Sequence, residues 1–243
     1  MQLQKGVSIV TATFNERENI PLFLKAIEKV MAGFSYEVIV VDDNSKDGTV
    51  DFLLREKEKN ERLKVLINRK REGLLKSNMM GLMEAKGEIR VVMDADLQHP
   101  PESIPDMLDC INGKDAVIMS RFVPGSMLDD FDPTRRIVTD VAIFLCHSIL
   151  PETRRFSDPL SGFFAIGENI NVPYDPIGEL FDGKRGFKTL IPIILSNAGK
   201  NIIEMPFSFH KRNWGRSKLV WDNIPIPRYL MELSAYRAWI KEA

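Results

Sequence analysis

Glu37-Val38-Ile39-Val40-Val41-Asp42-Asp43-Asn44-Ser45 sets the fold class of the chain. Its first part is almost continuously β-branched and lacks polar alternation, which reads as a strand buried on both faces. The Asp, Asn and Ser residues behind it are turn and cap chemistry ahead of a helix from about Thr49. The same unit recurs on either side. Upstream, residues 7–13 form a β-like run, and Phe23, Ile27, Val30 and Met31 then recur at helical spacing behind Pro21, with Gly33 as the stop. Downstream come a strand over 63–67, a helix over 74–85 and a strand over 89–93 that runs into Asp94-Ala95-Asp96. Such alternation predicts an α/β fold with a mostly parallel central sheet flanked by helices and joined by right-handed crossovers. Ligands bind such sheets at the carboxyl ends of the strands, so Asp42, Asp43, Asp94 and Asp96 are expected along one edge.

Beyond a further strand at 116–120 the alternation breaks down. A helix predicted over 134–150 is apolar around most of its circumference, which implies burial or contact with lipid. Residues 167–186 read as an ordered loop, followed by a helix over 187–195 and a last strand over 202–207. The basic run 210–218 and a C-terminal helix over 228–241 complete the chain, which reads as a single domain over 1–243.

Composition narrows the function classes. With 243 residues, 44% hydrophobic and 28% charged, the chain suits one large globular core and excludes disordered and fibrous classes. A formal net charge of -1 gives no reason to expect nucleic-acid binding. Cys110 and Cys146 have neither metal nor redox spacing and read as reduced, buried thiols. No signal-peptide pattern follows Met1, so export is not expected. The apolar stretch 137–150 carries Asp140 and His147 and falls short of the roughly 20 residues of a spanning helix.

The strongest local chemistry lies in Asp94-Ala95-Asp96-Leu97-Gln98-His99-Pro100-Pro101. Asp94, Asp96 and Gln98 offer the hard oxygen donors that Mg²⁺ or Mn²⁺ prefer, at what is expected to be an exposed strand end. An isolated D-x-D also occurs in ordinary turns, but a second acidic cluster on the same edge favours a site. Asp42 and Asp43 serve equally well as cap and Asx turn or as hydrogen-bond acceptors for a nucleoside, and Glu16 as a solvated loop residue or a third acid of that edge. Arg121, the pair Arg135 and Arg136, and the run Lys211, Arg212, Arg216 and Lys218 supply forks and charges suited to phosphate. A basic run is most often a solvated surface, yet interleaving with Trp214, Gly215 and Ser217 suggests a shaped loop. His147 and His210 read as structural or surface histidines, and His99 as a group behind the ligands. Neither a G-x-S-x-G elbow nor a G-x-x-x-x-G-K-[ST] loop is present.

Taken in order, these motifs resemble glycosyltransferase family 2 and, within it, the dolichol-phosphate mannose synthases and related polyprenyl-phosphate hexosyltransferases. The resemblance is carried by Val7-Ser8-Ile9-Val10 leading to Thr13-Phe14-Asn15-Glu16, by Val40-Val41-Asp42-Asp43-Asn44-Ser45 with Asp47-Gly48-Thr49, and by Met93 to Pro100. Ser120-Arg121-Phe122, Asp158-Pro159-Leu160-Ser161-Gly162-Phe163-Phe164 and the R-x-x-G-x-S-K pattern starting at Arg212 extend it over nearly the whole chain. It implies a GT-A (Rossmann-like) fold in which residues 1–120 bind the nucleotide sugar and 121–243 the acceptor, with amphipathic helices at a membrane interface. It places Ala12, Phe14, Glu16, Asp42 and Asp43 at the nucleoside, and Asp94, Asp96 and Gln98 around the cation and donor diphosphate. Arg121, Arg135, Thr139, Ser161, Arg212 and Lys218 fall to the acceptor phosphate and departing diphosphate, with Asp94, Asp96 and Arg212 as the catalytic group. Ala12 and Phe14 stand where many relatives have proline and tyrosine, so nucleoside contacts are expected to differ.

The implied reaction is inverting transfer of a hexose, with mannose from GDP-mannose as first expectation, to dolichyl or another polyprenyl phosphate. A phosphate acceptor, with a second pKa near ~6, is already ionised at neutral pH and needs little base catalysis. The problem is electrostatic repulsion, which assigns Asp94 to metal support and positioning. Implied partners are a nucleotide-sugar donor, a polyprenyl phosphate, the cytoplasmic face of a membrane and a membrane-anchoring subunit. The alternatives are transfer of glucose from UDP-glucose, a hydroxyl acceptor, which for processive relatives would bring a Q-x-x-R-W motif not found here, and a non-catalytic carbohydrate- or lipid-binding module.

Overall fold

Four strands, β1 (Val7–Thr13), β2 (Tyr36–Asp42), β3 (Leu63–Ile67) and β4 (Ile89–Val92), form the parallel part of a seven-stranded sheet in the computed structural model. The structure describes residues 6–129, 133–175, 189–211 and 226–242. Consecutive β2 residues face opposite ways, as a pleated strand requires. Ile39 and Val41 enter one apolar cluster with Val10, Val92 and Phe164, while Val38 and Val40 enter the other with Ile9 and Val91. Both faces are thus buried, which is why the sequence shows an unbroken apolar run instead of alternation.

Helices cover both faces. On one, α1 (Ile20–Val30) buries Ile20, Phe23 and Ile27, one stripe at helical spacing, and α2 (Thr49–Lys57) adds Leu53. Each such large side chain contributes about 1.5–3 kcal/mol when removed from water. On the other, α3 (Leu74–Glu84) buries Leu75, Met79 and Leu82 and approaches β1 through Gly81. After α4 (Ile104–Cys110) and β5 (Ala116–Ser120) the order changes. A strand not anticipated from sequence, β7 (Phe164–Gly167), runs antiparallel between β4 and β5, and β8 (Ile202–Pro206) lies parallel to β5 outside it. The full order is β3-β2-β1-β4-β7-β5-β8, and β6 (Met127–Leu128) pairs with β9 (Ser208–Phe209) in a separate ribbon. The expected mostly parallel sheet flanked by helices is therefore the architecture observed.

Three helices complete the description: α5 (Pro133–Ile149), α6 (Leu190–Ser196) and α7 (Ile226–Glu242). The helix expected over 187–195 is α6, with Phe187 and Lys188 outside the described residues. Helix α7 buries Leu233 and Tyr236 toward the core and ties to α5 through Tyr229, whose hydroxyl donates to the Ala142 carbonyl at 3.0 Å. Of the two expectations for α5, burial or contact with lipid, burial around most of its circumference fails, because Cys146 is its one fully buried residue. Ile137, Val141 and Phe144 are 65%, 42% and 69% exposed and, at i, i+4 and i+7, form one outward stripe. Among the described residues no helix is long and apolar enough to cross a membrane. Cys146 is buried as expected and Cys110 half-buried, and neither is in a disulfide.

The α3–β1 contact yields a test. A Cβ on Gly81 would stand 2.4 Å from Val10 Cγ1 and 3.2 Å from Val41 Cγ2. Helix propensity alone favours alanine by about 1 kcal/mol, whereas overpacking a closed core costs about 1–3 kcal/mol. Gly81→Ala is expected to lower the urea midpoint at unchanged slope. A raised midpoint would mean that α3 does not press on β1 as described.

Candidate active site

The chain steps from β1 through β2 to β3 on one side and then returns to place β4 on the other side of β1, so the carboxyl ends of β1, β2 and β4 frame the switch-point crevice of the sheet. The register pairs Thr13 with Asp42 and Val10 with Val92, which brings the loops after all three strands to one edge. The nucleoside candidates lie here, and two of them are occupied within the chain. Asp42 is fully buried and accepts from the Thr13 hydroxyl at 3.0 Å, the Ser45 amide at 2.8 Å and the Ser45 hydroxyl at 2.6 Å. Asp43 accepts from Asn68 Nδ2 at 3.0 Å and from the amides of Glu72 and Gly73 at 2.7 and 3.0 Å, holding the loop ahead of α3. That loop carries Arg71, whose guanidinium lies 3.7 Å from the Phe14 ring centroid and 3.9 Å from Asp43. Glu16 accepts from Asn19 Nδ2 at 2.6 Å, and its amide donates to Thr49 Oγ1 at 3.0 Å. Ala12 and Phe14 are half-buried on the same rim.

Past β4 the chain makes a tight turn. Leu97 adopts φ 63, a left-handed conformation that a branched side chain rarely takes, and Asp96 Oδ1 accepts from the Gln98 amide across it at 3.0 Å. Such strain persists where surroundings over-determine the backbone and often marks a site. The expectation of an exposed strand end holds for Asp94, whose side chain is 41% exposed, and fails for Asp96, which the turn leaves 3% exposed. His99 Nδ1 accepts from the Asp94 amide at 3.0 Å, so that nitrogen carries no proton. Its ring stacks on Phe163 at 5.2 Å and meets the edges of Phe207 and Phe209 at 5.9 Å each. Gln98 Nε2 donates to the His210 carbonyl at 3.2 Å, which turns the amide oxygen away from His210. Opposite them, a Cβ on Gly162 would come within 3.3 Å of the His99 ring and 3.6 Å of the Asp94 carboxylate, so glycine keeps this wall clear.

The donor set fits a hard divalent cation, being two carboxylates and an amide beside a glycine-cleared space. Among the described residues no three His, Cys, Asp or Glu side chains form a closed cage. Mg²⁺ commonly takes one or two carboxylates and completes its shell with water and substrate phosphates.

Across from the turn stands Arg121. Its Nε and Nη2 donate to the Asp158 carboxylate at 2.7 and 2.8 Å, and its amide adds a third bond at 3.2 Å. Burial works against the guanidinium charge, but Asp158, with Asp94 adding more weakly, outweighs it and raises the pKa, so Arg121 stays protonated. Arg121 and Arg135 both lie over the Phe209 ring, at 5.9 and 5.2 Å, while Arg136 lies over Phe122 at 4.5 Å and pairs with Asp140. Arg121 and Arg135 thus meet on one ring that also touches His99. Thr139 donates its hydroxyl to the Arg135 carbonyl at 2.8 Å. Ser161 is turned inward, donating to the Met119 carbonyl at 2.7 Å and accepting from the Phe163 amide at 3.1 Å. Arg212 and Lys218 lie outside the described residues. His210 pairs with Asp129 at 2.8 Å, and His147 contacts the Phe156 carbonyl at 3.1 Å. Asp158 and Gly162 stand out in the sequence only as members of the 158–164 motif, and Phe209 not at all, since nothing local joins Asp158 to an arginine 37 positions away.

An open α/β sheet with helices on both faces binds its ligands in the crevice at its switch point. The chain belongs to glycosyltransferase family 2: the pattern described as glycosyl transferase family 2 matches residues 8–172. It is 38% identical over 216 residues to a dolichol-phosphate mannosyltransferase of Pyrococcus furiosus, covering 88% of this chain and 59% of that protein. It is 32% identical over 239 residues to a dolichol-phosphate mannosyltransferase of Saccharomyces cerevisiae, covering 93% and 85%. The chain therefore spans less than two thirds of the Pyrococcus relative's length. The fold is similar to that of glucosyl-3-phosphoglycerate synthase from Mycobacterium tuberculosis, crystallised with Mg²⁺ and UDP, at TM-score 0.64 and 19% identity over 96% of this chain and 79% of that one. The sheet is accordingly the GT-A arrangement.

Asp158→Asn would leave Arg121 buried against a neutral amide. Removing one member of a buried ion pair costs about 3–5 kcal/mol, and a loss of that size is expected in chemical denaturation. A loss below about 1 kcal/mol, the value of an exposed pair, would show that solvent reaches Arg121.

Proposed function

We propose that this chain transfers mannose from GDP-mannose onto a polyprenyl phosphate such as dolichyl phosphate, with inversion at the anomeric carbon. The observation that carries the reading is the meeting of oxygen donors and arginines at the switch point: Asp94, Asp96 and Gln98 on one side, Arg121 and Arg135 on a shared Phe209 on the other. Family membership and the names of the relatives support the same chemistry. Residues 1–120 would hold the nucleotide sugar, with Ala12, Phe14 and Glu16 lining the nucleoside and Asp42 and Asp43 holding the loops that shape its pocket. Residues 121–243 would receive the acceptor.

Asp94, Asp96 and Gln98 would hold Mg²⁺ or Mn²⁺, whose charge offsets that developing on the departing diphosphate. Arg121, Arg135, Arg212 and Lys218 would compensate the acceptor phosphate, with Thr139 and Ser161 in its surroundings. The phosphate oxygen is already anionic and needs no base, so the work of the site is to bring two anions together in a water-poor cleft. The exposed stripe of Ile137, Val141 and Phe144 on α5 suits the interfacial zone of a membrane, where the lipid acceptor resides, on its cytoplasmic face. A membrane-anchoring subunit is a compatible partner.

Four outcomes are expected. Chelation of divalent cations should abolish transfer, and Asp94→Asn should remove most turnover without loss of fold, since its side chain is half-exposed; full activity in either experiment contradicts the metal assignment. Arg212→Ala should lower transfer at limiting lipid phosphate by roughly 10- to 150-fold, the equivalent of ~1.5–3 kcal/mol, while calorimetric donor affinity is unchanged. Equal loss of both would move Arg212 to the donor diphosphate. Phe144→Ser with Ile137→Ser should reduce sedimentation with anionic liposomes, and unchanged binding would remove α5 from the membrane contact.

A further inference from the structure

We infer that Glu204 is a positioning residue for transfer, acting through the Ser157–Asp158 turn to set the guanidinium of Arg121; the inference rests on the proposed transfer reaction for its kinetic meaning. Glu204 lies on β8, opposite Ile118 of β5 in the ladder. Its Oε2 accepts from the Ser157 amide at 2.8 Å, and its Oε1 accepts from the Ser157 hydroxyl and the Asp158 amide, both at 2.9 Å. The Ser157 hydroxyl also lies 2.7 Å from that of Ser120, which accepts from the Phe122 amide at 3.2 Å. One carboxylate therefore clamps both residues of the turn and, through Ser120, reaches the segment that carries Arg121.

The next link is Asp158. With its backbone held by Glu204 and its side chain fully buried, its two oxygens face Arg121 and receive Nε and Nη2 as a fork. A bidentate pair fixes the plane of a guanidinium as well as its position, provided the carboxylate itself cannot swing. Glu204 supplies that condition. Its three partners are neutral donors, so its contribution is geometric: a carboxylate can accept from all of them, whereas a glutamine would set an NH₂ group against one end of the turn. Displacement of a positioned group by about 1 Å can cost on the order of 100-fold in rate without touching the reacting atoms.

The test separates this role from simple support of the fold. With GDP-mannose and a short polyprenyl phosphate, Glu204→Gln should lower kcat by roughly 10- to 100-fold while the donor KM stays within about twofold. In an Arg121→Lys background the same change should cost less than about twofold, because a residue acting through Arg121 has nothing left to position. Ser157→Ala, which removes one of the three contacts, should give a smaller loss of the same kind and serves if Glu204→Gln does not fold. Losses that multiply in full with Arg121→Lys, or an unchanged kcat, overturn the inference. A second arm needs no substrate: in the free protein the Arg121 Nε–H signal should exchange with solvent roughly tenfold or more faster in Glu204→Gln than in wild type, as the fork loosens. Unchanged exchange also overturns the inference. Wild-type protein that does not transfer mannose would refute the proposed reaction, leaving the exchange measurement to decide the role of Glu204.

Discussion

Burial of the central strands on both faces is the constraint from which the rest of the site follows. A strand such as β2, with Val38 to Val41 all buried, has no face on which to display chemistry. Polar function can appear only where the strands end, and parallel pairing in register brings the ends of β1, β2 and β4 to the same edge. The acids there are stitched into one another's loops. Asp42 and Asp43 hold the backbone on either side of the crevice, which leaves Phe14, Arg71 and Glu16 as the side chains on its rim. Their proposed part in nucleotide binding is therefore largely that of scaffold.

The second half of the site depends on one strand of opposite direction. By entering antiparallel between β4 and β5, β7 brings the 158–163 segment to the β4 turn, where Gly162 faces Asp94 and Asp158 grips Arg121. With its charge offset by Asp158, Arg121 contributes directed N–H groups more than net charge. The positive charge proposed for the acceptor then falls in part to Arg135 and to the basic run that follows β9 in sequence.

Much of this was legible in the sequence because its causes are local. The alternation of buried strands and helices, the switch-point edge and the D-x-D-x-Q turn all follow from residue type and spacing within a few positions. The expected helices over 134–150 and 228–241 match α5 and α7 within two residues at each end. What was not legible depends on contacts between distant segments. Strand β7 spans only Phe164–Gly167, too short for a pattern and recognisable only beside its partners. The burial of Asp96 comes from the strained turn at Leu97, and the exposure of Ile137, Val141 and Phe144 from which side of α5 meets α7. The pairing of Arg121 with Asp158 and the clamp from Glu204 join three segments that no local spacing connects.

The proposed chemistry turns on a lipid phosphate as acceptor and on electrostatic compensation, not base catalysis, as the driver of transfer. The most direct test offers the purified protein GDP-mannose and Mg²⁺ with either a short polyprenyl phosphate or the matching polyprenol, from pH 5 to 8. Product is expected with the phosphate alone, with a rate that rises through the second ionisation of the acceptor near ~6 and then levels off. Efficient transfer to the alcohol, or a rate governed by a group of the protein whatever the acceptor's ionisation, would contradict that chemistry.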